Sequence, residues 1–412
     1  MAELIIGRAV EQKRLLKIQN SSEAELVAVY GRRRVGKTYL VRQFFAEQLF
    51  FEVTGEKGQR KSVQIARFCH EVSRVFFDGR PLPLCADWNA AFELLATSAA
   101  HFAAQFPDKA IIVFLDELPW LASHRSGLLP ALDHAWNAKL SRIPSLRVIL
   151  CGSAASWMLD KLVHAKGGLY NRITQRMELR PFSLAETSAY LLSRCIKLPQ
   201  KQIAEIYMAI GGIPHYLKQV PRARSATQVI GELCFDPNGP LCDEFEHLFE
   251  SLFDSSDAHR AIVRALAAKP SGISQTELVQ ASGLSGGGRF NKYLRELESS
   301  GFIATYTPFA KKKKDTLYRL VDEYSYFYLR WMESLPSRSL RISGTDHWHN
   351  QTQTPAYRAW SGYAFENLCF KHLGNILRAL GLTAVGVRAS SWRYAAPRRK
   401  PRVGGPSGAQ ID

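Results

Sequence analysis

Three short apolar runs punctuate the first 160 residues: LVAVY at 26–30, IIVFLD at 111–116 and LRVILC at 146–151. Each is too short for a buried helix and is followed by small or acidic residues, which is the pattern of strands buried on both faces. Between and after them the period changes. In KTYLVRQFFAEQL (37–49), Leu40, Val41, Phe44, Phe45 and Leu49 recur at helical spacing and predict one helix over 37–49. In NRITQRMELRPF (171–182) alternate residues fit a further strand. Strands interleaved with helices imply a parallel α/β sheet.

A change of organisation falls at CFDPNGPLCDEFEHLFESLFD (234–254), where Asp-Pro-Asn-Gly-Pro turn chemistry precedes a helical apolar pattern. From Asp257 the chain reads helix, turn, helix, turn, helix, then two strands. Ile262, Ala265 and Leu266 give the first helix its apolar face. SQTELVQASG is a capped short helix, and the amphipathic GRFNKYLRELESSG ends in glycine. This is the winged-helix pattern. DEYSYFYLRWMESL (322–335) predicts an aromatic helix belonging to the core, and AWSGYAFENLCFKHLGNILRAL (359–380) a last helix. The expected boundaries are 1–182, 183–256, 257–322, 323–356 and 357–412, consistent with a length of 412 residues at about 150 per domain.

Composition narrows the setting. An apolar fraction of 46% is that of a globular chain, and no window approaches the roughly 18 apolar residues of a spanning helix. The N-terminus MAELIIGRAVEQ does not read as a signal peptide. The seven cysteines form no C-x-x-C pair, which predicts buried, reduced thiols, and with no signal peptide and no spanning run the expected compartment is the cytoplasm, without a membrane partner. The formal charge of +17 is uneven: residues 257–412 carry a net +12 and residues 1–256 only +5. A polyanion partner is therefore expected at the C-terminal half, double-stranded DNA before membrane. In a winged helix the third helix would offer Arg289, Asn291, Lys292 and Arg295, and the hairpin tip Lys311, Lys312, Lys313 and Lys314. Such modules also serve as protein-interaction surfaces, so a protein partner stays open.

The chemistry is announced by GRRRVGKT (31–38). G-x-x-x-x-G-K-[ST] is informative only after a strand and before a helix, and both flanks are present here. Gly31 and Gly36 let successive N–H groups converge on phosphate, aided by the helix start. Lys37 would reach the β- and γ-phosphates and Thr38 would supply a hydroxyl to Mg²⁺. Arg34, Val35 and Tyr39 complete the candidate nucleotide contacts. Asp116 ends the second apolar run as the expected Mg²⁺ partner. Glu117 stands where a carboxylate polarises water, which separates hydrolysis from binding. Ser153 ends the third run, as a γ-phosphate or water sensor or as a cap of the next helix.

Taken in order, IIGRAVEQKRLL, VYGRRRVGKTYLVRQF, VFLDELPWL, ILCGSAASWM, LYNRITQRMELRPFSLAE and IGGIPHYL resemble the archaeal-type ATPase family, within the signal-transducing NTPases related to the AAA+ class. That resemblance implies an α/β fold, a P-loop NTPase parallel sheet with a helical lid, with ATP in preference to GTP. It also implies that Gly7, Arg8 and Glu11 form a box at the nucleotide's edge and that Gly212 and Pro214 lie near the adenine, the alternative for Gly211, Gly212 and Pro214 being a turn between two helices. Arg172 and Arg176 are candidate arginine fingers, in cis or from a second copy, or ordinary salt-bridging arginines. A winged-helix domain follows, and then a partial α/β C-terminal domain. Residues 357–412 are similar to PD-(D/E)XK nucleases, Glu366 and Asp412 matching two of the metal-binding carboxylates. The Glu-x-Lys strand such a nuclease needs is not found, so the chain is expected to lack metal-dependent nuclease activity and to be poorly ordered beyond about Ala395.

Three function classes follow. An ATP-driven switch that hydrolyses with Mg²⁺ and contacts DNA or a protein, including a homo-oligomer, uses the most residues. A DNA-binding regulator that holds ATP without turnover uses fewer. A nuclease effector uses the fewest.

Overall fold

The computed structural model describes residues 5–163, 168–253, 255–309, 311–335 and 344–383, together with the short strands 392–394 and 409–411. It divides into two compact units, Met1–Pro181 and Phe182–Asp412.

Five parallel strands build the first unit: β1 (Glu25–Tyr30), β2 (Leu49–Thr54), β3 (Ile111–Asp116), β4 (Leu146–Gly152) and β5 (Gln175–Glu178), in the order β2-β3-β4-β1-β5. α1 (Ala9–Gln19) precedes β1, and the crossovers that parallel neighbours need are supplied by α2 (Lys37–Phe44), α3 (Lys61–Phe76), α4 (Trp88–Gln105), α5 (Leu118–Leu121), α6 (Leu128–Ala138) and α7 (Ala155–Met158). Because side chains alternate along a strand, Leu26, Val113, Leu115, Val148 and Leu150 face a core shared with α3, α4 and α6. Val27, Val29, Ile112, Phe114 and Ile149 occupy the intervening positions and are equally buried. Burial of both faces is why these segments read as unbroken apolar runs. Phe68 of α3 keys the core, with ring centroids 4.9 Å from Phe51, 5.6 Å from Trp88 and 5.4 Å from Phe92.

The helix expected over 37–49 is two elements. α2 stops at Phe44, a turn closes with Gln48 N–H donating to the Phe45 carbonyl at 3.0 Å, and Leu49 opens β2. The apolar period was shared between a helix end and a strand start, and burial of Phe51 and Val53 in the sheet decides for the strand.

In the second unit, α8 (Leu184–Ser193), α9 (Gln200–Ile210), α10 (Pro214–Leu217), α11 (Ala226–Ile230) and α12 (Glu244–Leu252) precede a winged helix. That module comprises α13 (Ser256–Ala267), β6 (Ile273–Ser274), α14 (Gln275–Ser282), α15 (Gly288–Ser299), β7 (Ile303–Tyr306) and β8 (Leu317–Leu320). Its antiparallel sheet runs β6-β8-β7, so β6, too short to show a period, adds a third strand to the two expected. α14 starts at a full capping box, Ser274 with Glu277, and ends at Gly283 in the left-handed conformation.

α16 (Glu323–Trp331) is core, as its aromatic content suggested: Tyr324 and Phe327 are fully buried, and Trp331, Trp348 and Trp360 pack edge-on to one another. α17 (Gly344–Gln351) follows. The single last helix expected is two, α18 (Pro355–Lys371) and α19 (Leu373–Ala379), separated at His372. β9 (Trp392–Tyr394) and β10 (Ala409–Ile411) pair antiparallel, which departs from the expectation of poor order at 409–411. Asp412 and 395–408 lie outside the described residues.

The seven cysteines are free thiols, as expected, but they are not all buried. Cys69, Cys151, Cys234 and Cys242 are buried, Cys85 and Cys369 half-buried, and Cys195 exposed, at a positive φ of 61° that brings it out at the end of α8.

Candidate nucleotide site and winged helix

β1, β3 and β4 end together. Tyr30 is in register with Gly152, and Leu115 with Leu150, so the turns after these strands share one edge of the sheet. This is the edge where parallel α/β sheets bind ligands. Gly31 leaves β1 at φ 142°, and a Cβ there would lie 2.2 Å from the Leu179 carbonyl oxygen. Only glycine fits between the loop and the chain leaving β5. Gly36 enters α2 at φ 91°.

Lys37 is 6% exposed, and its Nζ donates to the carbonyls of Gly31 at 3.0 Å and Arg32 at 2.9 Å. The ammonium is thus folded over the mouth of its own loop. Thr38 Oγ1 donates to Asp116 Oδ2 at 2.7 Å, bringing together the two oxygen donors that the sequence assigns to a metal. Asp116 Oδ1 accepts the Glu117 N–H at 3.0 Å. Beneath them, burial pushes the Cys151 thiol well above its ordinary pKa and the Asp116 carboxylate adds to the rise. Cys151 is therefore an inert floor.

Glu117 adopts φ 47°, ψ 47°, a left-handed conformation that costs a non-glycine residue about 1–2 kcal/mol. Its Oε2 accepts from Ser153 Oγ at 2.9 Å and from Ser153 N at 3.2 Å. Ser153 does not cap the next helix: α7 has Ala154 at its N-cap and no side-chain cap.

Arg8, placed by its motif at the nucleotide's edge, is 5% exposed, lies 3.8 Å from the Glu11 carboxylate of the same motif and hydrogen-bonds to backbone. Nη1 donates to the Arg180 carbonyl at 2.6 Å and Nη2 to the Val35 carbonyl at 3.0 Å. It ties the P-loop to the segment leaving β5. Val35 is buried in the loop and Tyr39 is 44% exposed on α2. Arg172 ends a turn before β5 and Arg176 lies on it, in register with Ala28; both are exposed.

Gly211, Gly212 and Pro214 belong to the second unit. Gly212 accepts the Phe182 N–H at 2.7 Å, and a Cβ on it would lie 2.0 Å from the Phe182 oxygen, so this element has a local packing role. Pro214 opens α10.

On α15, Phe290, Leu294 and Leu297 turn inward while Arg289, Asn291, Lys292 and Arg295 are exposed. Asn291 Oδ1 accepts from Gln275 at 2.6 Å, and Lys292 lies 3.6 Å from Glu296. Lys311, Lys312 and Lys314 are exposed on the segment between β7 and β8. Behind α15, His259 is 1% exposed, with Nδ1 at 2.8 Å from the Ser255 carbonyl and Nε2 at 2.8 Å from Glu296 Oε2. Burial alone would raise the Glu296 pKa, but the bonds and charges of His259 and Lys292 bring it below the usual carboxylate value.

Glu366, the nuclease-like carboxylate, is engaged elsewhere. It forms an ion pair with Arg319 of β8, while Asn367 donates to the Leu320 carbonyl at 3.0 Å and Lys371 donates to both oxygens of Glu323 at 2.6 and 2.7 Å. Glu366 is part of a polar seam between α18 and the winged helix. Its Asp412 companion lies outside the described residues.

No helix among the described residues is long and apolar enough to cross a membrane. Residues 256–304 match the model of a winged helix-turn-helix DNA-binding domain. An uncharacterised protein of Methanocaldococcus jannaschii is 24% identical over 90% of this chain and 77% of its own. Among solved structures, the Walker-type ATPase of Pyrococcus abyssi superposes with a TM-score of 0.55 at 20% identity, over 79% of this chain and 96% of its own. The ORC2 protein of Aeropyrum pernix gives 0.47 at 17% identity, over 84% and 92%. Residues 6–220, more than half of the chain, match the model of an ATPase domain predominantly from Archaea, and it is to that family that the chain belongs.

Proposed function

We propose that this protein is a cytoplasmic, Mg²⁺-dependent ATPase that works as a switch, its winged helix contacting double-stranded DNA. The observation that carries the reading is the convergence of Lys37, the Thr38–Asp116 pair and Glu117 at one sheet edge. A site that only stored nucleotide would not require Glu117, one residue beyond the metal pair, to be held in a costly backbone conformation.

The donor set fits the metal: a hydroxyl and a carboxylate 2.7 Å apart are the hard oxygen ligands that Mg²⁺ prefers. Bound there, Mg²⁺ supplies neutralisation of phosphate charge. Gly31 and Gly36 open the loop so that its N–H groups orient the phosphates, and Lys37 exchanges its loop carbonyls for phosphate oxygen. Glu117 accepts the proton of the attacking water. Exposed Arg289, Lys292 and Arg295 of α15, with Lys311, Lys312 and Lys314, support the DNA contact as phosphate ligands.

The test is steady-state phosphate release from Mg-ATP by the full chain, with Lys37→Ala and Glu117→Gln, with and without duplex DNA. Loss of turnover in both variants, with stimulation by DNA in the parent, is expected. Parental turnover in Glu117→Gln would refute the hydrolytic reading. ATP binding without turnover in the parent would leave the protein a nucleotide-held DNA-binding regulator.

A further inference from the structure

The wing carries one residue that phosphate binding does not explain. Past the last registered strand pair, Tyr306 with Leu317, the chain crosses TPFAKKKKDT (307–316), and Phe309 stands 63% exposed in it, the most exposed phenylalanine among the described residues. Lys311, Lys312 and Lys314 follow it closely and are exposed as well. We propose that Phe309 is a wedge for duplex DNA: the lysines hold the phosphates flanking one base step, and the ring enters that step from the minor groove and kinks the helix. The proposal rests on the DNA contact of the winged helix proposed above.

The tip is built to present the ring. Thr307 and Thr316 share a hydrogen bond between their Oγ1 atoms at 3.2 Å, which closes its base. Pro308 is buried, its φ fixed by its own ring, and its carbonyl accepts the Lys311 N–H at 3.1 Å. Farther on, the Lys312 N–H donates to Asp315 Oδ2 at 3.0 Å and the Asp315 N–H to the Lys312 carbonyl at 2.8 Å. Asp315 is the one acid in 307–316, and it is engaged in that turn. The residue before Phe309 is thus anchored and the lysines after it sit on a closed turn, so less binding free energy is lost to ordering the loop.

Ring and cations together select the partner. An apolar protein groove would take the ring but would have to desolvate or pair the three lysines beside it. Phosphates alone would use the lysines and leave the ring in water. A DNA duplex offers both at once: backbone charge along the rims of its groove and, between base pairs, an apolar slot with a π-face on each side. Phenylalanine is among the side chains that enter such slots from the minor groove, kinking the duplex by about 20–90°. The opposing cost is unstacking, which is smallest at flexible pyrimidine–purine steps, so the wedge favours TA and CA steps without a hydrogen bond to any base edge. That is a sequence preference the lysines cannot supply, because phosphates carry no sequence information.

The test uses the full chain and short duplexes with one central TA step or none. Permanganate reactivity of the thymine at the step reports unstacking, energy transfer between dyes on the duplex ends reports bending, and a salt titration of affinity reports phosphate contacts. In the parent, the thymine should become reactive and energy transfer should rise. Phe309→Ala should lose both and bind the TA duplex about 5- to 30-fold more weakly, the lower part of what base–aromatic stacking carries because unstacking offsets some of it, with an unchanged salt slope. Phe309→Leu, still an apolar wedge, should keep most of the bend. Because the ring is so exposed, Phe309→Ala should melt with the parent, which separates the wedge from a folding defect. A Phe309→Ala variant that unstacks and bends DNA as the parent does overturns the wedge alone. So does a parent that binds its duplex straight and stacked, which would leave the ring to an apolar protein partner. A parent that binds no duplex at low salt overturns the DNA contact and the wedge with it.

Discussion

Replacing Glu366 by leucine tests whether that carboxylate is structural or a remnant of nuclease chemistry. Arg319 is 3% exposed and Glu366 18%, and Arg319 Nε and Nη2 are buried without hydrogen-bond partners among the described residues. Phe370 lies 5.4 Å from the guanidinium carbon but cannot replace a counter-charge, and Glu366 is the ion-pair partner of Arg319 among the described residues. Removing one member of a buried pair costs about 3–5 kcal/mol, because the other charge stays desolvated. The partial exposure of Glu366 puts Glu366→Leu near the lower end, about 3 kcal/mol. For a unit of this size, each kcal/mol shifts Tm by about 2–4 °C, so a drop of about 6–12 °C is expected in the calorimetric transition of the second unit. Arg319→Met combined with Glu366→Leu should recover most of the loss, since paired replacement by apolar groups removes the stranded charge. A single variant that melts with the parent would refute the reasoning. Mg²⁺-dependent plasmid cleavage lost in that stable variant would restore the nuclease reading.

Gly31→Ala should abolish ATP binding in a titration while leaving the second unit's melting transition in place, because its Cβ would sit 2.2 Å from the Leu179 oxygen. Glu296 has a lowered folded pKa, so its contribution to stability is present above the unfolded carboxylate pKa and is lost as pH falls through the folded one. Glu296→Gln should therefore flatten the acid limb of a Tm-versus-pH curve, and an unaltered limb would exclude that linkage. Replacing Lys311, Lys312 and Lys314 by alanine should reduce the slope of log affinity against log salt for duplex DNA by about 0.9 for each phosphate no longer neutralised. An unchanged slope would remove the hairpin from the interface. If Arg172 or Arg176 acts on a second copy's nucleotide, specific activity should rise with protein concentration, and a monomeric sample with constant specific activity would exclude the trans arrangement.

How far the sequence reveals a site depends on how local its contacts are. The P-loop was readable because Gly31, Gly36, Lys37 and Thr38 act within eight residues, and Asp116–Glu117 because an apolar strand announces them. The bond between Ser153 and Glu117 spans 36 positions and depends on β4 lying between β1 and β3, an order no periodicity encodes. Arg147 makes the same point from the opposite edge of the sheet. It reads as one charge interrupting an apolar run, yet it is 2% exposed and donates to the carbonyls of Ile18, Gln19, Ser21, Glu23, Pro144 and Leu146. Burial pulls its pKa below the ordinary arginine value, opposed by Glu25. Arg8 has the same character, since carbonyl oxygens that satisfy a buried guanidinium leave no mark in a sequence. Motif residues and anchoring residues can therefore look alike, and variants separate them: losing an anchor lowers Tm and nucleotide affinity together, whereas losing Glu117 lowers turnover while Tm holds. On that criterion Arg8→Met should melt earlier than the parent and bind ATP more weakly, and the same loss of affinity at unchanged Tm would return Arg8 to the nucleotide's edge.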